Sequence, residues 1–288
     1  METGRKKKKK INLAILPNMI TLGNGICGFG AIIKLASLRF GPGGEILNSE
    51  NLIYAAWLIM LAMVFDAFDG KVARMTKTSS EFGGELDSLS DIISFGVAPA
   101  VLVAMSNSVM ATSPFWGRVA WVFSVAYVVG AILRLARFNV ENSLDESAHE
   151  GFSGLPSPAA AGTIASLVLL SQFLQKDALL LSFSWIPSEI LHQIGRAIPF
   201  ILPVIALLLS YLMVSRLPYP HVVTRFFKSK NNFDQFTMII FSLIFIALLP
   251  EVMLCLCFCG FTLLGPMVKL KEQLFAPENE KEACATES

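Results

Sequence analysis

Two short stretches hold the residues best suited to chemistry. The first is Asp66-Ala-Phe-Asp69-Gly70-Lys-Val-Ala73-Arg74, and the second is Gly83-Gly-Glu-Leu-Asp87-Ser-Leu-Ser-Asp91. At about 100° of turn per residue, Asp66, Asp69, Gly70 and Ala73 share one face of a helix. Asp87 and Asp91, at i and i+4, share one face of another, with Gly83 a turn earlier if helix reaches that far. Pooled carboxylates repel one another unless they are protonated or neutralised. Two divalent cations would balance the four aspartates, and oxygen-only ligands favour hard ions such as Mg²⁺ or Mn²⁺. Two such ions about 3.5–4 Å apart form the usual clamp for displacement at phosphorus. Gly70 and Ala73 remove side-chain bulk, so a flat or phosphorylated ligand can approach the helix backbone. Arg74 offers a fork of donors for phosphate. A plainer alternative pairs each aspartate with Lys71, Arg74 or Lys77 at a solvated helix end. It explains a single aspartate better than several at fixed offsets beside two glycines and an arginine.

The elements that must position these residues are membrane helices. The chain has 288 residues, 54% hydrophobic and only 16% charged, against about 25% charged in a soluble domain. Its apolar runs are roughly 17 to 25 residues long, enough to cross a bilayer as helix, and alternating barrel strands are absent. The expected fold class is therefore an all-α integral membrane protein. About eight transmembrane helices are expected, near Asn18–Leu38, Leu52–Met75, Asp87–Met110, Trp116–Phe138, Ser157–Gln175, Ala197–Ser215, Gln235–Leu249 and Val252–Val268. The last pair reads as a hairpin, because one helix over Gln235–Val268 would span about 50 Å and Pro250 offers a turn. The short connection Met75–Leu86 makes the second and third helices antiparallel neighbours, so their acidic faces can meet.

The expected divisions are a basic N-terminus (1–16), a membrane core (17–232), a C-terminal hairpin (233–270) and a polar tail (271–288). With eight helices the basic segments Arg5–Lys10, Lys71–Lys77, Arg134–Arg137, Arg216–Lys230 and Lys269–Lys271 all fall on one side, read as cytoplasmic. The active site and both termini share that side. The net charge of +1 says little about partners, and the basic cluster reads as a topology signal rather than a nucleic-acid site, so no nucleic-acid partner is expected. The segment that follows it opens with Pro17-Asn18 and lacks a small-residue cleavage site, which argues against a cleaved signal peptide. Cys27, Cys255, Cys257, Cys259 and Cys284 show no metal spacing, and His149, His192 and His221 lie far apart.

The pattern D-x2-D-G-x2-A-R-x8-G-x3-D-x3-D, filled at every fixed position from Asp66 to Asp91, resembles the signature of the CDP-alcohol phosphotransferases. The resemblance implies a six-helix core, a homodimer and a two-metal site open to the cytoplasm. It implies that Asp66, Asp69 and Asp87 ligate metal, and that Asp91 lies near the metals and acts as general base. Gly70, Ala73, Arg74 and Gly83 would lie against the CDP group. Further segments resemble the bacterial-type phosphatidylserine synthases of this family. They are Leu16-Pro17-Asn18-Met-Ile-Thr21, the run from Asp87 to Ala100, Arg134-Leu-Ala-Arg137-Phe-Asn139 and Gly154 to Gly162. Asn18 and Thr21 join the CDP site only through this likeness; their plainer role is at a helix start. Phosphatidylglycerophosphate synthases of the family read L-D-P-x-A-D-K across the last two aspartates, whereas Ser88 and Ile92 stand here.

The implied activity is transfer of a phosphatidyl group from CDP-diacylglycerol to L-serine in a bacterial inner membrane. Inositol, glycerol 3-phosphate or choline are alternative acceptors. Arg134 and Arg137, three apart at a helix end, suit serine's carboxylate or the lipid phosphates, with Asn139 beside them. Their plainer role is headgroup snorkelling. A cation or solute transporter is the rival of another class, but the aspartates sit at helix ends and no inverted repeat is evident.

Overall fold

In a bilayer an apolar run must satisfy its backbone polar groups internally, and helix does so segment by segment. The computed structural model describes residues 3–42, 45–76, 81–106, 114–144, 154–176, 187–217, 219 and 247–275. Within these residues the protein is all-helical apart from one isolated bridge, Phe40 to Ile46. The helices are α1 (Thr3–Ala36), α2 (Glu50–Thr76), α3 (Glu81–Asp91), α4 (Ala98–Ser106), α5 (Pro114–Leu144), α6 (Ser157–Lys176), α7 (Ser188–Val214) and α8 (Pro250–Phe275). A π-helical segment, Ile92–Val97, joins α3 to α4. Seven stretches of the described residues are long and apolar enough to cross a membrane: Pro17–Ala36, Glu50–Val72, Phe82–Ser106, Phe115–Val140, Ser157–Lys176, Ser188–Val214 and Pro250–Lys269. The protein is an integral membrane protein. The expected helix Gln235–Leu249 falls outside the described residues except for 247–249. Pro250 opens α8, a first-turn position that proline favours.

Several boundaries differ from the sequence reading: α7 begins at Ser188, nine residues before the expected Ala197, and α5 and α8 run on to Leu144 and Phe275. Helix α1 begins at Thr3, within the polar N-terminus, so Asn18 and Thr21 lie in its interior rather than at its start. Helix α3 begins at Glu81, so residues assigned to a connection are helical and Gly83 stands one turn before Asp87. Continuing the helix bonds backbone groups that a loop at the membrane surface would leave to water.

Lipid tails are as apolar as leucine, so membrane helices associate by close packing of small residues and by a few polar contacts. Helix α6 follows this rule. Its Ala160, Ala161, Ile164, Ala165 and Ser166 are wholly buried, and 78% of its most apolar window is buried, more than in any other span described. It packs against α2, α7 and α8. Large side chains such as Phe29, Trp121, Leu208 and Tyr211 are exposed on the outer faces, where lipid replaces water. Helix α8 docks on α6 through a buried Thr163–Thr262 hydroxyl pair at 2.9 Å. Gly162 there leaves room for the Phe258 ring, and the Tyr219 hydroxyl donates to the Thr262 carbonyl at 3.2 Å.

Candidate active site

Helices α1, α2 and α3 build the acidic site. Carboxylate oxygens of Asp66 and Asp69 on α2 and of Asp87 on α3 all lie within 4.8 Å of one another. The two acidic faces meet as their helical spacing requires. Asp69 is buried; Asp66 and Asp87 are half-buried. Asp69 Oδ2 and Asp87 Oδ1 are buried without a hydrogen-bond partner. Orphaned carboxylate oxygens in a low-dielectric site are costly, and a hard divalent cation is the partner that such an oxygen-only set accepts. The residues therefore fit a metal ion.

Asp91 is not one of the three converging carboxylates. It is buried one turn along α3, within electrostatic reach of Asp66, Asp87 and Asp69. Its Oδ1 accepts a hydrogen bond from Asn24 Nδ2 of α1 at 2.9 Å. Asn24 has no exposed surface and was not singled out from the sequence, although an amide inside a membrane span is itself a signal. It continues a polar row, Asn18, Thr21, Asn24, at i, i+3 and i+6. The Thr21 hydroxyl donates to the Pro17 carbonyl at 3.1 Å and lies within reach of the Asp69 carboxylate. Asn18 is half-buried one turn before it.

The approach of α1 to α3 depends on small residues. A Cβ added at Gly25 would lie 3.2 Å from Ser90 Oγ, and one added at Gly28 would lie 2.6 Å from Ser94 Cα. Ser94 donates to the Asn24 carbonyl at 2.9 Å. The π segment follows directly after Asp91, and the Ala98 N–H bonds the Ile93 carbonyl five residues back. Pro99, which has no N–H, stands where an α-helix would bond the Phe95 carbonyl. The fully buried Tyr127 of α5 donates its hydroxyl to that carbonyl at 3.0 Å. A proline visible in the sequence thus forces a wider turn beside Asp91, and a tyrosine from another helix satisfies it.

The other expected site residues are placed as follows. Gly70 faces open space, with nothing within 4 Å of an added Cβ. Gly84 is equally open, whereas the sequence reading chose only its neighbour Gly83. Ala73 and Arg74 continue the backbone of α2, but their side chains lie outside the described residues. Arg134 donates through Nε to the Leu155 carbonyl at 2.6 Å and through Nη1 to Ser157 Oγ at 3.3 Å, and it interacts electrostatically with Asp91. Two of its five donors therefore tie α5 to the entry of α6. That entry turns at Gly154, whose φ of +91° favours glycine. Arg137 is half-buried one turn further along α5. Asn139 exchanges hydrogen bonds with Ser88, its Nδ2 donating at 3.0 Å, which brings the end of α5 against α3 beside Asp87.

Membrane-crossing helices with aspartates from two neighbouring helices pooled at one end define a membrane-embedded site able to hold a divalent cation. The CDP-alcohol phosphatidyltransferase family model matches residues 14–264, and the chain belongs to that family. The match runs from α1 into α8. Among its relatives, the CDP-diacylglycerol–serine O-phosphatidyltransferase of Helicobacter pylori is 32% identical over 239 residues, covering 81% of this chain and 83% of its own length. The enzyme of that name from Methanocaldococcus jannaschii is 34% identical over 195 residues, 68% of this chain and 75% of its own. The one from Bacillus subtilis is 33% identical over 206 residues, 72% of this chain and 90% of its own.

Proposed function

We propose that this protein transfers the phosphatidyl group of CDP-diacylglycerol to L-serine, giving phosphatidylserine and CMP. The observation that carries the reading is the convergence of Asp66, Asp69 and Asp87 within 4.8 Å, with Asp91 adjoining. Those carboxylates would hold two Mg²⁺ or Mn²⁺ ions, which supply charge neutralisation for the diphosphate and for the departing CMP. Asp91 takes the proton from the serine hydroxyl. The serine oxygen bonds to the lipid-side phosphorus as the bond from that phosphorus to the CMP oxygen breaks, and CMP leaves with the electron pair. Gly70 leaves the α2 backbone open to the CDP group, with Gly83, Ala73, Arg74, Asn18 and Thr21 beside it. Arg134 and Arg137 meet the serine carboxylate or the lipid phosphate, and Asn139 braces α3 through Ser88. The site faces the cytoplasm of a bacterial inner membrane, and the protein works as a homodimer.

The test is CMP release by the purified full chain from labelled CDP-diacylglycerol with serine, inositol, glycerol 3-phosphate or choline as acceptor. Serine alone should support turnover at physiological concentration. Turnover with another acceptor and none with serine would reject the assignment while leaving the family chemistry intact. Asp91→Asn should abolish release yet keep CDP-diacylglycerol binding; an unchanged rate would remove Asp91 as the base.

A further inference from the structure

We propose that Asn24 is a positioning residue that aims Asp91 for proton transfer, an inference that rests on the reading of Asp91 as the base. Three observations carry it. Asn24 is fully buried inside the α1 span, where an amide is expensive. Its Nδ2 donates to Asp91 Oδ1 at 2.9 Å across 67 residues of sequence. Its own Oδ1 is buried without a partner. A leucine of similar size would fill the same space at no polar cost, so packing does not account for an asparagine there.

The chemistry does account for it. A carboxylate has two oxygens, and a base must present one of them to its substrate. With Oδ1 held by Asn24, Oδ2 is the oxygen left to receive the serine proton. A neutral amide fixes the carboxylate without cancelling its charge, as a lysine or arginine would do. The amide cannot turn over, because its Oδ1 would then face a carboxylate oxygen. The backbone reinforces the aim, since the Asn24 carbonyl accepts from Ser94, three residues beyond Asp91. Helix α1 therefore grips the end of α3 at Asp91 and the π segment at Ser94. Gly25 against Ser90 and Gly28 against Ser94 bring the backbones close enough for the short side chain to reach.

The experiment compares Asn24→Leu with Asp91→Asn in the full chain. It measures kcat, KM for both substrates, the solvent deuterium isotope effect, Mn²⁺ binding by electron paramagnetic resonance and Tm. Asn24→Leu should lower kcat about 10–100-fold, the usual effect of losing a residue that orients a working group. Both KM values and Mn²⁺ affinity should stay within about threefold, the pattern of an interaction used only in the transition state. The isotope effect should rise, because misaligned proton transfer becomes more rate-limiting. If Asn24→Leu fails to fold, Asn24→Ala, which removes the donor without adding a charge, carries the same comparison. Wild-type kcat in Asn24→Leu alongside a dead Asp91→Asn would overturn the role of Asn24 and leave the base intact. Full turnover in Asp91→Asn would overturn the base itself. A kcat loss that tracks lost Mn²⁺ binding and lowered Tm would make Asn24 structural and overturn the proposal.

Discussion

Gly28→Ala is the sharpest single test of how the helices hold the site. A methyl at Gly28 would lie 2.6 Å from Ser94 Cα and 2.9 Å from Ser94 Cβ. Carbon atoms at rest sit about 3.5–4.0 Å apart, so α1 and the π segment must separate by roughly 1 Å. The neighbour is backbone, which cannot swing aside. The Ser94 hydroxyl, 2.9 Å from the Asn24 carbonyl, would move to roughly 3.9 Å, beyond hydrogen-bonding range. The Asn24–Asp91 bond at 2.9 Å would stretch with it. Overpacking of this kind costs about 1–3 kcal/mol, and a misplacement of about 1 Å costs up to about 100-fold in rate. Gly30→Ala is the control on the same helix, since its methyl would meet only Leu58 Cδ1 at 3.5 Å, an ordinary contact. That change removes a helix glycine and should be neutral or slightly stabilising, by up to about 1 kcal/mol. The assay is CMP release together with thermal unfolding in detergent. A Gly28→Ala enzyme as fast and as stable as Gly30→Ala would refute the claim that close approach of α1 to Ser94 sets the geometry of Asp91.

Two other perturbations address separate parts of the site. Tyr127→Phe leaves the Phe95 carbonyl buried without its donor, at a cost of about 1–3 kcal/mol; Tm should fall by a few degrees, at about 2–4 °C per kcal/mol, and an unchanged Tm would show that the carbonyl finds another donor. Dialysis against a chelator should stop CMP release, and Mg²⁺ or Mn²⁺ should restore it; Asp66→Asn, Asp69→Asn and Asp87→Asn should each weaken Mn²⁺ binding, whereas a chelated enzyme at full rate would exclude a metal role for the three carboxylates.

The acidic site was legible because its residues obey local rules. Helix periodicity alone puts Asp66 with Asp69 and Asp87 with Asp91, and a short connection forces the two helices together. The membrane class followed from composition. Asn24 was not legible in the same way. Its partner lies 67 residues away, so an amide inside the span signals a polar role without showing what it meets. The π segment was half-legible. Pro99 stands inside the expected helix Asp87–Met110, and a proline there must break a bond. What it could not announce is that Tyr127, on a different helix, receives the freed carbonyl.

These two omissions share a cause that also explains the fold. In water a bundle can be held by apolar burial, which sequence patterning reveals. In a bilayer that force is absent between helices, and what remains is close approach of small residues plus a few polar bonds. Gly28 against Ser94, between α1 and the π segment, is such a contact, as are Gly162 against Phe258 and Thr163 with Thr262 on α6 and α8. A glycine that admits a neighbour looks the same in the sequence as one that admits a ligand. Gly28 and Gly70 are told apart only by what lies opposite: Ser94 backbone against one, and open space beside the carboxylates against the other. The contacts that give this protein its tertiary structure are therefore the same contacts that aim its catalytic groups, so loosening one between α1 and α3 should cost rate before it costs the fold.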